Sequence, residues 1–145
     1  MSMIPSFFSG GADRSAEKIE IKGLVANESI SIGHVVRTIE GGVSGVLAKA
    51  VNTTNHVIGI ATSASEAGGT IELAQSGLTE VLMDSTPSSS DNGKIVYLGT
   101  NGQATLNVTN SSGTNLIKIG YLTGANGSNN PVEIILMIEF IVRFG

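Results

Sequence analysis

The chain has 145 residues, enough for one domain with a buried core, and a formal net charge of −4. Only 14% of residues are charged, the eight Lys and Arg form no basic stripe, and aromatics are few, which argues against nucleic acid as a partner. Having no Cys excludes disulfides and thiolate chemistry, and 19 Gly among abundant Val, Ile, Thr, Ser and Asn is strand-and-turn composition.

Residues 1–17 read as an N-terminal arm. It lacks the basic stretch and continuous apolar run of a secretion signal. Ile4, Phe7 and Phe8 precede Gly10-Gly11 and the polar Asp13-Arg14-Ser15. Two of the chain's six aromatics therefore sit outside any periodic segment. Either they anchor the arm in a neighbouring subunit or partner, or they fold back over the chain's own core.

Lys18 to Lys22 alternates as a half-buried strand whose Lys residues suit a sheet edge. Leu24 to Ile32 continues in strand-like fashion with a polar break at Asn27-Glu28, and Val35 to Ile39 is a short strand. Val43 to Val51 reads as a strand, with a short helix as the alternative. Strands follow at Val57–Thr62, Thr70–Ala74 and Leu78–Met83, the last two separated by a turn at Ser76-Gly77. Thr86 to Gly93 is a loop and the expected junction between two halves. Lys94–Leu98 and Gln103–Val108 form a hairpin across Asn101-Gly102, since both residues tolerate positive φ. Leu116–Leu122 is a strand, and Asn110–Asn115 and Gly124–Asn130 are polar loops.

From Val132 to Val142 the even positions Val132, Ile134, Leu136, Ile138, Phe140 and Val142 are all apolar and are expected in the core. The odd face carries Ile135, Met137 and Ile141 between spaced charges. At ~3.3 Å per residue, such a strand spans roughly 36 Å. Two apolar faces suggest a central strand or a subunit interface, or else packing against the arm or a helix. The run is too short, and too interrupted by Glu133 and Glu139, to span a membrane as a helix.

One stretch occurs twice. Ile58-Gly59-Ile60-Ala61-Thr62 and Thr70-Ile71-Glu72-Leu73 are answered by Ile119-Gly120-Tyr121-Leu122-Thr123 and Pro131-Val132-Glu133-Ile134, 61 residues later. Gly33-His34-Val35-Val36 is answered by Gly93-Lys94-Ile95-Val96, 60 residues later. Two related β-units result, about 30–84 and 91–143, within one domain at 18–145.

The chemistry-bearing residues are sparse. His34 and His56 have no ligand-spaced partner, and no nucleophile elbow or phosphate-binding loop is present. Asp84 and Asp91 lack the spacing of a calcium loop. Glu72 and Glu133 hold equivalent repeat positions and read as a solvated face rather than a catalytic pair. No enzyme activity, cofactor or metal is expected.

The blocks Ser31-Ile32-Gly33-His34-Val35-Val36, Val57-Ile58-Gly59-Ile60-Ala61, Thr70-Ile71-Glu72-Leu73, Gly93-Lys94-Ile95-Val96-Tyr97-Leu98 and Ile117-Lys118-Ile119-Gly120-Tyr121 resemble the small capsid decoration, or cement, proteins of tailed bacteriophages. The resemblance spans about residues 24–142, and phage head-fibre proteins share its C-terminal pattern. It implies a compact β-barrel or β-tulip; with the two related units and the extended N-terminal arm read above, which lies outside the matched region, the expected fold is all-β, a compact antiparallel barrel, β-tulip or sandwich. The resemblance also implies a virion protein on the capsid exterior, assembled in the host cytoplasm. Its partners would be the major capsid protein and itself, as a homotrimer, with no nucleic acid and no membrane. Ile4, Phe7 and Phe8 are the expected arm anchors, and Ile135, Met137 and Ile141 the expected strand interface. A head-fibre or adhesin module binding surface carbohydrate through the polar loops is the alternative.

Overall fold

β-Branched residues in short runs, punctuated by Gly, Asn and Ser, produce strands throughout, and no described residue is α-helical. The computed structural model describes residues 19–38, 45–47, 57–108 and 114–143. The arm with Ile4, Phe7 and Phe8, together with His56, lies outside them. The strands are β1 (Ile19–Val25), β2 (Val35–Thr38), β3 (Gly45–Leu47), β4 (Val57–Ala61), β5 (Thr70–Val81), β6 (Ile95–Leu98), β7 (Ala104–Thr105), β8 (Asn115–Leu122) and β9 (Val132–Arg143). Every ladder is antiparallel, in the order β3-β2-β4-β5-β9-β8-β6-β7, with β1 added to β5. The sheet curls into a nearly closed barrel. The β7 end turns back on the first unit, where the Val35 N–H of β2 donates to the Gly102 carbonyl and Ala104 bridges Met83 just past β5.

The repeat is built into the hydrogen-bond register. In β2·β4, Val35 faces Ile60, Val36 faces Gly59, and a bulge follows before Arg37 faces Val57. In β6·β8, Ile95 faces Tyr121, Val96 faces Gly120, and a bulge follows before Tyr97 faces Lys118. The offsets are again 60 and 61 residues, as in the sequence. Ile60↔Ala74 and Ala61↔Leu73 match Tyr121↔Ile135 and Leu122↔Ile134 in the same way. Glycine at 59 and 120 follows directly, because an added Cβ would overlap the carbonyl oxygen of Ala74 or Ile135. The two strand sets are mirrored in the sheet and meet at β5·β9.

β5 departs from expectation. The turn predicted at Ser76-Gly77 is absent, and one twelve-residue strand runs through it. Gly77 adopts φ +85°, which lets the strand bulge without reversing. The neighbour changes there, from β1 along 70–76 to β9 along 77–81. The loop 86–93 holds a single 3-10 turn at Ser89–Asp91 and takes the place that 26–33 has in the first unit. Two shorter differences follow from local pairing. The first strand ends at Val25, beyond which Ala26 exchanges backbone hydrogen bonds with Gly68 and Gly69 and Ile30 bridges Ser65, and β7 keeps two residues of the predicted 103–108.

The interior has two clusters. The smaller belongs to the first unit and joins Val36, Ala61, Ile71 and Leu73 to Ala26 and Ile30. The larger joins Val96, Leu122 and Ile134 of the second unit to Val35, Ile60 and Ala74 of the first. Each fully buried Ile or Leu contributes roughly 1.5–3 kcal/mol.

β9 corrects a second expectation. Val132, Ile134 and Leu136 are buried and Ile138 is half-buried, but Phe140 and Val142 are 49% and 42% exposed. β5 pairs with β9 only as far as Leu136, whereas β8 follows it to Arg143. The last third of β9 thus runs beyond the covered interior, and both of its faces meet solvent.

Candidate functional site

Alternation along the strands places one side chain in two on the outside of the barrel. On β6, β8, β9 and β5 the outward positions line up. Ile95 faces Tyr121, Tyr121 faces Ile135, and Ile135 faces Leu78. This makes a four-strand apolar row, with Leu78 44% exposed at its end. Met137 extends it along β9 at 52% exposure, and Ile141, 44% exposed, lies further on in a bulge of that strand. Ile19, also exposed, pairs with Ser76 where β5 changes partners.

Tyr121 is held from beside. The nearly buried Lys118 donates from Nζ to Tyr121 Oη at 2.7 Å and lies 4.1 Å from the ring centroid. Its Nζ is also 3.9 Å from Glu139 Oε1. The ammonium and the ring stabilise each other, and the ring's position within the row is set.

Beside Leu78 an open cleft of about 300 Å³ is lined by Ile32, Thr62, Thr79, Glu80 and Glu133. Glu80 and Glu133 face each other across β5·β9. Glu133 accepts a hydrogen bond from Thr123 Oγ1 at 3.0 Å. Among the described residues no group of three or more His, Cys, Asp or Glu converges as a metal site. Glu72 and Glu133 do hold equivalent places, since the Thr62 N–H donates to the Glu72 carbonyl and the Thr123 N–H to that of Glu133.

His34 and Asp91 are tied into local hydrogen bonds. His34 accepts the Ser31 N–H on Nδ1 at 3.0 Å. Burial pushes its imidazole below the ordinary value, partly offset by the Glu28 carboxylate. The Lys94 hydrogen bond, followed by the Ser88 N–H, holds the Asp91 carboxyl below the usual range. The 124–130 loop spends its side chains on itself. Asn126 Oδ1 accepts from the Ser128 and Asn129 N–H groups, and Asn129 donates to the Gly124 carbonyl. Asn130 brackets Met83, accepting from its N–H and donating to its carbonyl.

The structure places Ile135 and Met137 on the outward face of β9, while Ile141 is exposed in a bulge, between Phe140 facing Ile117 and Val142 facing Leu116. Sequence reasoning missed Ile95, Tyr121 and Leu78 as their neighbours. The repeat offset was the available signal for the first two. Leu78 depended on β5 crossing Gly77 unbroken.

The fold has a solved counterpart. The head fiber gp8.5 N base of bacteriophage phi29 superimposes with a TM-score of 0.56 at 14% identity, covering 83% of this chain and 95% of that one. At that identity the likeness is one of fold. No protein-family model matches the chain, and no curated protein matches it.

Proposed function

We propose that this protein is a structural, non-enzymatic component of a phage head, bound to the outside of the capsid. The observation that carries the reading is the fold shared with a phage head-fibre base along 83% of the chain. The exposed apolar residues on β9 and its neighbours support it, because a chain that works by being covered needs such a surface. In this reading the partners are the major capsid protein and further copies of the chain, as a homotrimer, with no nucleic acid or membrane. Ile4, Phe7 and Phe8 anchor the arm, while Ile135, Met137 and Ile141 serve the β9 interface. Held in this way, the protein cements the lattice by burying apolar surface at ~25 cal/mol per Å².

A second reading draws on the same counterpart: the domain is the base on which a fibre stands. Carbohydrate binding by the 124–130 loop draws less support, since Asn126, Asn129 and Asn130 are spent on backbone groups. The test is co-sedimentation of purified protein with capsids of its own phage lacking it. Saturable binding, and capsids that survive heat better once loaded, are expected. Protein left wholly in the supernatant would remove the capsid from the account.

A further inference from the structure

Asparagine followed by glycine occurs at Asn92-Gly93, Asn101-Gly102 and Asn126-Gly127. Such a pair can react with itself, the glycine's backbone nitrogen attacking the side-chain amide carbon of the asparagine. Glycine offers that nitrogen with no Cβ in the way. Exposure does not separate the three sites, because all three asparagines are exposed. Their hydrogen bonds do.

Asn92 is held at both ends of its amide. Its Nδ2 donates to the Ala125 carbonyl at 3.0 Å, and its Oδ1 accepts the Ala125 N–H at 2.9 Å. The Gly93 N–H donates to the Leu122 carbonyl at 2.7 Å. Asn126 Oδ1 accepts from the Ser128 and Asn129 N–H groups, and the Gly127 N–H donates to the Pro87 carbonyl at 3.1 Å. In both pairs the attacking nitrogen and the attacked amide are each tied to another group. At the third pair neither is. Among the described residues the Asn101 side chain has no hydrogen-bond partner, and the Gly102 N–H has no acceptor.

The backbone around that pair is fixed. The Gly99 N–H donates to the Gln103 carbonyl and the Gln103 N–H to that of Thr100. The Gly102 carbonyl accepts the Val35 N–H at 2.7 Å, which ties this turn to β2.

We infer that Asn101 is a self-modification site whose conversion loosens the contact between Gly102 and Val35. The Gly102 nitrogen bonds to Asn101 Cγ, the Cγ–Nδ2 bond breaks, and ammonia leaves with the proton from Gly102. Water then opens the cyclic imide. Opening at Cγ leaves aspartate. Opening at the main-chain carbonyl leaves isoaspartate, whose backbone runs through Cβ and Cγ and is longer by a carbon. Either product adds a negative charge. The longer backbone lies between Thr100 and Gly102, both held in place by hydrogen bonds, so isoaspartate strains the link to Val35.

The full chain is warmed at mildly alkaline pH, folded or in concentrated urea, and each site is followed by peptide mass spectrometry. In the folded protein Asn101 is expected to convert about tenfold faster than Asn92 or Asn126, whose hydrogen bonds must first break. In urea the three are expected to convert at similar rates. Folded protein in which Asn92 or Asn126 keeps pace with Asn101, or in which Asn101 stays intact while urea-treated chain reacts, overturns the site. Ion exchange then separates the more acidic product. Its isoaspartate form is expected to unfold at a lower temperature than the parent. Asn101→Asp, with the same charge on an ordinary backbone, is expected to unfold close to the parent. An isoaspartate form that unfolds with the parent overturns the loosened contact.

Discussion

Glu80 and Glu133 stand directly opposite each other on β5 and β9, both exposed on the outer wall of the barrel. Like charges opposed across a ladder are destabilising. Thr123 donates to Glu133, and Glu80 borders the same cleft. Glu80→Lys replaces repulsion with attraction and is expected to raise stability by up to about 1 kcal/mol. Urea unfolding at low and high salt checks this. The gain should shrink with salt, because exposed charges are screened.

The paired glycines make a steric prediction. Gly120→Ala drives a Cβ into the Ile135 carbonyl, and Gly59→Ala into that of Ala74. Neither backbone can retreat without disturbing a ladder between buried strands. Each change is expected to cost about 1–3 kcal/mol, as overpacking does. The midpoints of urea unfolding should fall together, because the two sites have one geometry.

His34 sets a pH dependence. Burial holds its folded-state pKa below the unfolded value of about 6.5. Its neutral form is favoured in the fold, with Nδ1 accepting the Ser31 N–H. This contribution is present above the unfolded pKa and is lost as pH falls through the folded one. The stability of the wild type relative to His34→Asn, whose side-chain oxygen can accept the same N–H, should therefore fall as pH drops below about 6.5. Thermal unfolding of both proteins across that range measures it.

The arm yields a binding prediction. Deleting residues 1–15 removes Ile4, Phe7 and Phe8 together. The strands from Ile19 onward pair among themselves, so the shortened chain is expected to fold. Its co-sedimentation with capsids is expected to vanish. Undiminished binding would strike the arm from the mechanism.

What the sequence determined by itself was local or periodic. Strand positions follow from alternation over a few residues, and the hairpin at Asn101-Gly102 from two residues at φ 54° and 77°. The duplication was visible because close approach demands glycine at both 59 and 120. Only the tertiary structure decided which of the two apolar faces each strand would cover. Ile60 and Tyr121 hold equivalent places, yet Ile60 is buried and Tyr121 looks outward. The same holds for Phe140 and Val142, which continue a core pattern past the point where β5 leaves β9. Burial depends on what lies across the sheet, and those neighbours come from distant parts of the chain, beyond the reach of any local pattern.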